Sequence, residues 1–251
     1  DLVNVSKVRE VTCITINRPD KKNCLNLETV RALKEAVINF ESDSTSYVGI
    51  ICGARGNFCY GYDVDDFAKD PEMIDKIEAL GLFDIFCKKP LVAAINGYAV
   101  GAGFDLALWC DFLIIEETAV LGCYARQFGS PISKRSAERV VSVVGMHKAL
   151  DWILTGRIVK AKEAYESGIV NRLVACGTGI GQAVNFSCAL ANMPQACLRA
   201  DRAALYSLSN KYSEVVRGEI VSHFEKMRII AMDEVKRGVH MTKSGDVRIR
   251  S

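Results

Sequence analysis

Apolar and polar positions along this chain repeat with two different periods. The stretch Val11–Ile16 is β-branched and apolar, which predicts a strand, and Asn17-Arg18-Pro19-Asp20 then turns the chain. Asn26 is placed to cap a helix over Leu27–Ser42, where Val30, Leu33, Ala36, Val37 and Phe40 recur at helical spacing. A strand over residues 47–52 follows, then a loop over 53–62 holding three glycines. Residues 71–86 read as a second amphipathic helix, with Ile74, Ile77, Leu80 and Ile85 on one side. Strands at 91–95 and 112–115, and a short one at Val120-Leu121, complete an alternation that predicts βαβ units and a mostly parallel sheet. After Arg135 the pattern turns helical: 136–144, 147–155, 162–167, a short strand at 170–174, then 181–191, 195–209 and 212–235. The expected division is an α/β core over residues 1–174 and a helical C-terminal region over 175–251, its tail from Gly238 polar and mobile.

Between the strand at 91–95 and the next helix lies Asn96-Gly97-Tyr98-Ala99-Val100-Gly101-Ala102-Gly103, a loop of mostly small residues. Small residues let another group approach the backbone. The first N–H groups of the following helix have no internal partner, and that helix end carries partial positive charge. Such a turn either packs the helix on its strand or receives negative charge or a polarised carbonyl oxygen. The spacing matches neither common phosphate motif.

Composition narrows the classes. With 49% hydrophobic and 25% charged residues over 251 positions, the chain is ordinary globular protein. A formal net charge of +2 gives no support to a nucleic-acid surface, and no apolar run reaches membrane-spanning length. The ten cysteines form no C-x-x-C pair and sit mainly in apolar runs. They read as buried thiols of a reducing compartment rather than a disulfide frame or zinc site. No secretory signal is visible; the chain opens at Asp1, consistent with removal of an upstream targeting segment. The expected location is inside the cell, mitochondrial or cytoplasmic.

Four segments in order resemble the crotonase superfamily, the enoyl-CoA hydratase/isomerase family. They are Ile16-Asn17-Arg18-Pro19 with Asn23-Cys24-Leu25-Asn26; Gly56-Asn57-Phe58-Cys59-Tyr60-Gly61-Tyr62-Asp63; Val92-Ala93-Ala94-Ile95-Asn96-Gly97 with Gly101-Ala102-Gly103, Asp105 and Cys110-Asp111; and Leu154-Thr155-Gly156-Arg157 through Ala164, Gly168, Ile169 and Val170. The resemblance implies an α/β fold, a crotonase-like spiral of ββα units with a helical trimerisation region, and trimers that often pair into hexamers. It implies an acyl-CoA thioester as substrate, with coenzyme A as part of that substrate, no separate cofactor and no metal. Backbone N–H groups of Tyr62 and Ala102 would form an oxyanion hole, an arrangement that contributes a few kcal/mol. Ala102 stands where the family usually has glycine, so the hole requires conventional backbone there. The turn of Lys22 and Cys24, the loop of Cys59, Gly61 and Tyr62, and Gly101 would bind the substrate and its CoA. Lys22 reads equally as a solvated surface lysine.

The family's hydratases use two glutamates for acid–base chemistry on water. At the first position this chain has Asp105, a carboxylate one methylene shorter. At the second, a gap-free match gives Ala125, which exchanges no proton. Tyr124 and Arg126 flank it: Tyr124 reads as a proton donor or as filler for the missing side chain, and Arg126 as a constant positive charge that could meet an acyl carboxylate, as could Lys134. The segment Ser133-Lys134-Arg135-Ser136-Ala137-Glu138 reads as a remodelled loop where the family tends to have glycines, and Ser133 occupies the place of a dehalogenase nucleophile. His147 and His223 read as structural or solvated, Asp63 as part of its loop's own hydrogen bonding, Asp111 as structural, and Asp63, Asp65 and Asp66 as a solvated acidic face without a calcium-loop pattern. Three functions remain open: an enoyl-CoA hydratase-like lyase; another acyl-CoA reaction such as decarboxylation or thioester hydrolysis; and an inactive CoA-binding or oligomerising paralogue. RNA binding lacks a basic stripe.

Overall fold

A computed structural model describes residues 1–123, 132–208 and 214–236. Its central sheet has six strands in the order β1-β2-β3-β4-β6-β9: β1 Val3–Val8, β2 Val11–Ile16, β3 Val48–Gly53, β4 Leu91–Ile95, β6 Phe112–Glu116 and β9 Arg172–Val174. β1 pairs antiparallel with β2, and the remaining neighbours are parallel. A smaller sheet joins β5 Tyr98–Val100, β7 Val120–Gly122 and β8 Val159–Lys160.

Side chains along the parallel strands alternate between two covered faces, as the period of a strand requires. Ile14, Ile16, Ile51, Ala93, Ile95 and Ile115 join the large core with α1 (Leu27–Ser42), α3 (Met73–Ala79) and α4 (Ala102–Trp109). Val11, Cys13, Val48, Ile50, Cys52, Val92, Ala94 and Ile114 face the other way, against Ala183 and Ala191 of α8 (Gly179–Ala191). Thus the segment after residue 174 first covers the sheet. Then α9 (Gln195–Ser207) and α10 (Glu214–Lys236) pack on each other. Of the ten cysteines, six are buried. Among the described residues no helix is long and apolar enough to cross a membrane.

Local signals explain most boundaries. Asn26 caps α1 by accepting from Thr29 N at 3.0 Å. The expected helix over 71–86 is corrected: α3 ends at Ala79, Gly81 turns left-handed at φ 64°, and Leu82–Asp84 forms a 3₁₀ turn. Glycine takes that conformation without a Cβ penalty, and Lys34 Nζ donates to the Leu80 carbonyl at 2.7 Å, satisfying it. The acidic run at 63–66 is solvated at Asp65 as expected, and is corrected at Asp63, which is buried. Asp63 caps α2 (Val64–Lys69), accepting from Asp65 N, and Asp65 and Asp66 fill its first turn, where negative charge is favoured. Residues 134–138 are no loop. They begin α5 (Lys134–Val144), because Ser133 Oγ accepts from Ser136 N at 3.1 Å as its cap.

One corner is tied electrostatically. Arg157 grips Glu163 of α7 (Ala161–Glu166) through two bonds, at 2.8 and 2.6 Å, and reaches Asp151 of α6 (Met146–Thr155). Trp152 Nε1 also donates to Glu163 at 3.1 Å. The Arg157 hydrogen bond leads in holding the Glu163 carboxyl down, from the ordinary 4.5 to about 2. The folded value lies below the unfolded one, so this stabilisation is complete above pH 4.5 and fades as the pH falls towards 2. In a Trp109→Phe background, Trp152 fluorescence should shift across that window, and Glu163→Gln should abolish the shift.

Candidate active site

Two turns meet at the C-terminal ends of β3 and β4. The first, over 53–62, is shaped from within by Asn23. That side chain is fully buried, donates to Ala54 O at 2.8 Å and Asn57 O at 2.6 Å, and accepts from Arg18 N at 2.9 Å. Arg18 donates in turn to Cys24 O at 2.6 Å and to Asp63 at 2.8 Å, so Asp63 does belong to the loop's own bonding. The second turn runs through β5 into α4. Main-chain bonds stitch the two together: Phe58 N to Asn96 O at 2.8 Å, Cys59 N to Tyr98 O at 2.8 Å, and Val100 N to Cys59 O at 3.1 Å.

The small residues first serve this docking. A Cβ on Gly103 would stand 2.2 Å from Cys59 O, and one on Gly97 would stand 2.2 Å from Gly56 O. Gly61 and Gly101 then turn at φ 96° and 55°. A Cβ added to Gly61 would lie 3.5 Å from Ala102 N and 3.7 Å from Gly101 Cα, so the turn before Tyr62 abuts the start of α4. Leu25 N donates to Gly61 O at 2.7 Å and Asp63 N to Leu25 O at 2.8 Å. In such a parallel bridge the intervening residue, Tyr62, directs its own peptide groups away from Leu25. Ala102 is the first residue of α4, and its N–H has no intrahelical acceptor by position. It is absent from the residues with positive φ; Gly101 takes that conformation instead, so alanine is accommodated.

Asp105 follows one turn into α4, half-buried. Arg139 of α5, itself buried, donates to Asp105 O at 3.4 Å and Phe83 O at 3.1 Å, pinning α5 against α4. The Cys123 thiol is pushed up to about 12, by burial first and by the Asp105 charge second. The Asp105 carboxylate therefore lies within electrostatic range of the point where the chain leaves β7. Tyr124, Ala125 and Arg126 lie outside the described residues, as does the tail from Gly238.

Of the residues singled out from sequence, Gly61, Tyr62, Gly101, Ala102 and Asp105 are brought together on these two turns and α4. The Cys59 side chain is fully buried beneath the turn, its thiol donating to Gly61 O at 4.0 Å and pushed up to about 12 by burial, so what it can present to a ligand is main chain. Cys24 is half-buried, its thiol raised to about 11 by burial and then by Asp63. Lys22 is exposed, with its ammonium 4.7 Å above the Tyr60 ring, and Tyr60 meets Tyr98 edge-on at 5.1 Å. Sequence reasoning missed this aromatic platform, and also the contact from Tyr62 OH to Glu78 at 3.3 Å. Tyr60 beside Gly61 was the available signal for the platform. Nothing local marks Glu78.

With this geometry in view, the comparisons with known proteins agree. The family model for enoyl-CoA hydratase/isomerase matches residues 7–244, and the chain belongs to that family. It is 33% identical over 217 residues to a probable enoyl-CoA hydratase of Rhizobium meliloti, covering 83% of each chain. It is 28% identical over 211 residues to the 2,3-dehydroadipyl-CoA hydratase of Escherichia coli, covering 80% of each. Among solved structures, an enoyl-CoA hydratase subunit from Geobacillus kaustophilus superposes with a TM-score of 0.82 at 27% identity, over 95% of this chain and 93% of that one. The architecture is thus the crotonase fold that the sequence motifs led us to expect.

Proposed function

We propose that this protein binds an acyl-CoA thioester and stabilises negative charge on its carbonyl oxygen with the main-chain N–H groups of Tyr62 and Ala102, as an enoyl-CoA hydratase-type lyase. The abutment of the Gly61–Tyr62 turn on the start of α4 carries this reading. Donors fixed before the reaction cost no reorganisation when charge develops, and each is worth about 3 kcal/mol. Asp105 supplies the carboxylate that orients water or moves its proton. Lys22, over Tyr60, meets a CoA phosphate, while Cys24, Gly61, Gly101 and the main chain of Cys59 line the approach; Tyr124 and Arg126 keep the substrate-binding role that the family resemblance implies. Coenzyme A enters as part of the substrate, and no other cofactor takes part. The C-terminal region, 175–251, carries self-association as a trimer or a dimer of trimers; the outward apolar side chains of Leu205, Leu208 and Val215 support this.

Ala125 favours a second reading, a CoA-binding protein that turns over slowly or catalyses a reaction needing only the charged intermediate. Calorimetry with acetoacetyl-CoA beside a crotonyl-CoA hydration assay separates the two. We expect binding with measurable hydration, lost about a hundredfold or more in Asp105→Asn with binding kept. Ala125→Glu should raise hydration by restoring a second proton-transfer group. Binding without turnover on a broad acyl-CoA panel establishes the second reading, and absence of binding refutes both. The relative acting on 2,3-dehydroadipyl-CoA makes dicarboxylic acyl-CoAs, whose distal carboxylate would meet Arg126 or Lys134, the first addition to that panel.

A further inference from the structure

At the other end of β4 from the two turns, cations gather where α9 and α10 pack against the segment leading into that strand. Phe86 is the pivot. The Arg202 guanidinium lies 4.7 Å from its ring centroid, and the His223 ring meets it edge-on at 6.2 Å. Lys88 and Lys89 follow Phe86 in the chain, and Arg199 precedes Arg202 by one turn on the same face of α9.

Two of these cations already have partners. Arg202 is paired with Asp111 at 2.8 Å and donates to Cys87 O at 2.7 Å. Lys89 is buried and donates to Phe40 O at 2.8 Å and Asp43 O at 2.6 Å, with the Asp43 and Glu41 carboxylates within electrostatic range. Arg199 and His223 differ. Arg199 Nε and His223 Nε2 are both buried without a hydrogen-bond partner. A buried donor left unmade costs about 1–3 kcal/mol, and more when the group is charged. The Glu41 carboxylate accepts from Lys88 N at 3.0 Å.

From this juxtaposition we propose that Arg199 and His223, flanked by Lys88 and Lys89, form a second binding site, one that takes a small tetrahedral oxyanion such as phosphate. A tetrahedral oxyanion offers several acceptors at once, so one ion can satisfy Arg199 Nε and His223 Nε2 while offsetting the surplus positive charge. Arginine's planar fork suits this geometry. The site stands apart from the candidate active site, at the opposite end of the sheet, and does not depend on the acyl-CoA reading.

The charges around His223 supply an independent handle. Its imidazole is pushed down to about 4, by burial first and then by Lys88, Arg202, Arg199 and Lys226. Tyr47, Cys87 and, from α1, Glu41 face Arg199; Asp43 and Glu41 face Lys89; and Asp111, just before β6, faces Arg202. An anion seated here favours the imidazolium and must raise the His223 pKa, so the ion binds more tightly as the pH falls.

Two measurements on the full chain test the site. In the first, the His223 ring is titrated by NMR with and without inorganic phosphate, which needs no change to the cluster. Phosphate should move its pKa upward saturably; an unmoved pKa overturns the proposal. In the second, phosphate binding is measured by calorimetry, alone and with saturating acetoacetyl-CoA. The affinity should be the same in both and should fall about tenfold in Arg199→Gln, while Arg228→Gln, which alters an exposed arginine paired with Glu225, leaves it unchanged. Displacement of phosphate by acetoacetyl-CoA would place the ion at the CoA site instead and overturn the proposal, as would equal affinity in Arg199→Gln.

Discussion

Gly103→Ala should destabilise the protein by about 3 kcal/mol or more and remove acyl-CoA binding with it. The new methyl carbon would sit 2.2 Å from Cys59 O and 2.8 Å from Cys59 C. Those are backbone atoms, held by the bonds that Cys59 makes to Tyr98 and Val100. No side-chain rotation relieves such a clash, so one turn must lift from the other. Urea denaturation reads the stability, and calorimetry with acetoacetyl-CoA reads the site. A loss below about 1 kcal/mol would mean that the two turns are not locked as described.

Asn23→Ala should cost a similar amount, about 3 kcal/mol. The substitution strands the Arg18 N–H and the carbonyls of Ala54 and Asn57, all now satisfied by one fully buried amide. Backbone conformation adds to the loss: Asn23 sits at φ 58°, which asparagine tolerates better than alanine. Asn23→Asp separates the parts, because it keeps the acceptor for Arg18 N but turns a charge towards two carbonyls. We expect both variants to lower the urea midpoint, and a wild-type midpoint in either would exclude the role given to this side chain.

Much of the fold was legible because its signals are local. α1 runs over Leu27–Ser42 as the Asn26 cap and the apolar spacing predict, and β4 occupies the continuous apolar run at 91–95. Elements held by distant partners were not legible. β1 lies at the sheet edge with Val5 and Val8 exposed, so no buried face announced it. β5 is three residues inside a small-residue turn, and it becomes a strand only through β7 and the bridge from Cys59. Gly81 ends α3 inside an apolar pattern that continues past it.

The site divides the same way. The glycines of the turn could be read from the sequence, and Asp105 only through the family resemblance. Asn23 could not, since the carbonyls it binds lie 31 and 34 positions away. Arg139, reaching Phe83 from 56 positions away, left no local trace either.

The joint between the two turns is made of peptide groups, with the aromatic side chains of Tyr60, Tyr62 and Tyr98 set around it. Exchanging one of those rings would redecorate the rim without loosening the frame. The geometry of the joint and the chemistry of its rim are thus set by different parts of the chain: peptide groups and glycines fix the one, tyrosine rings the other.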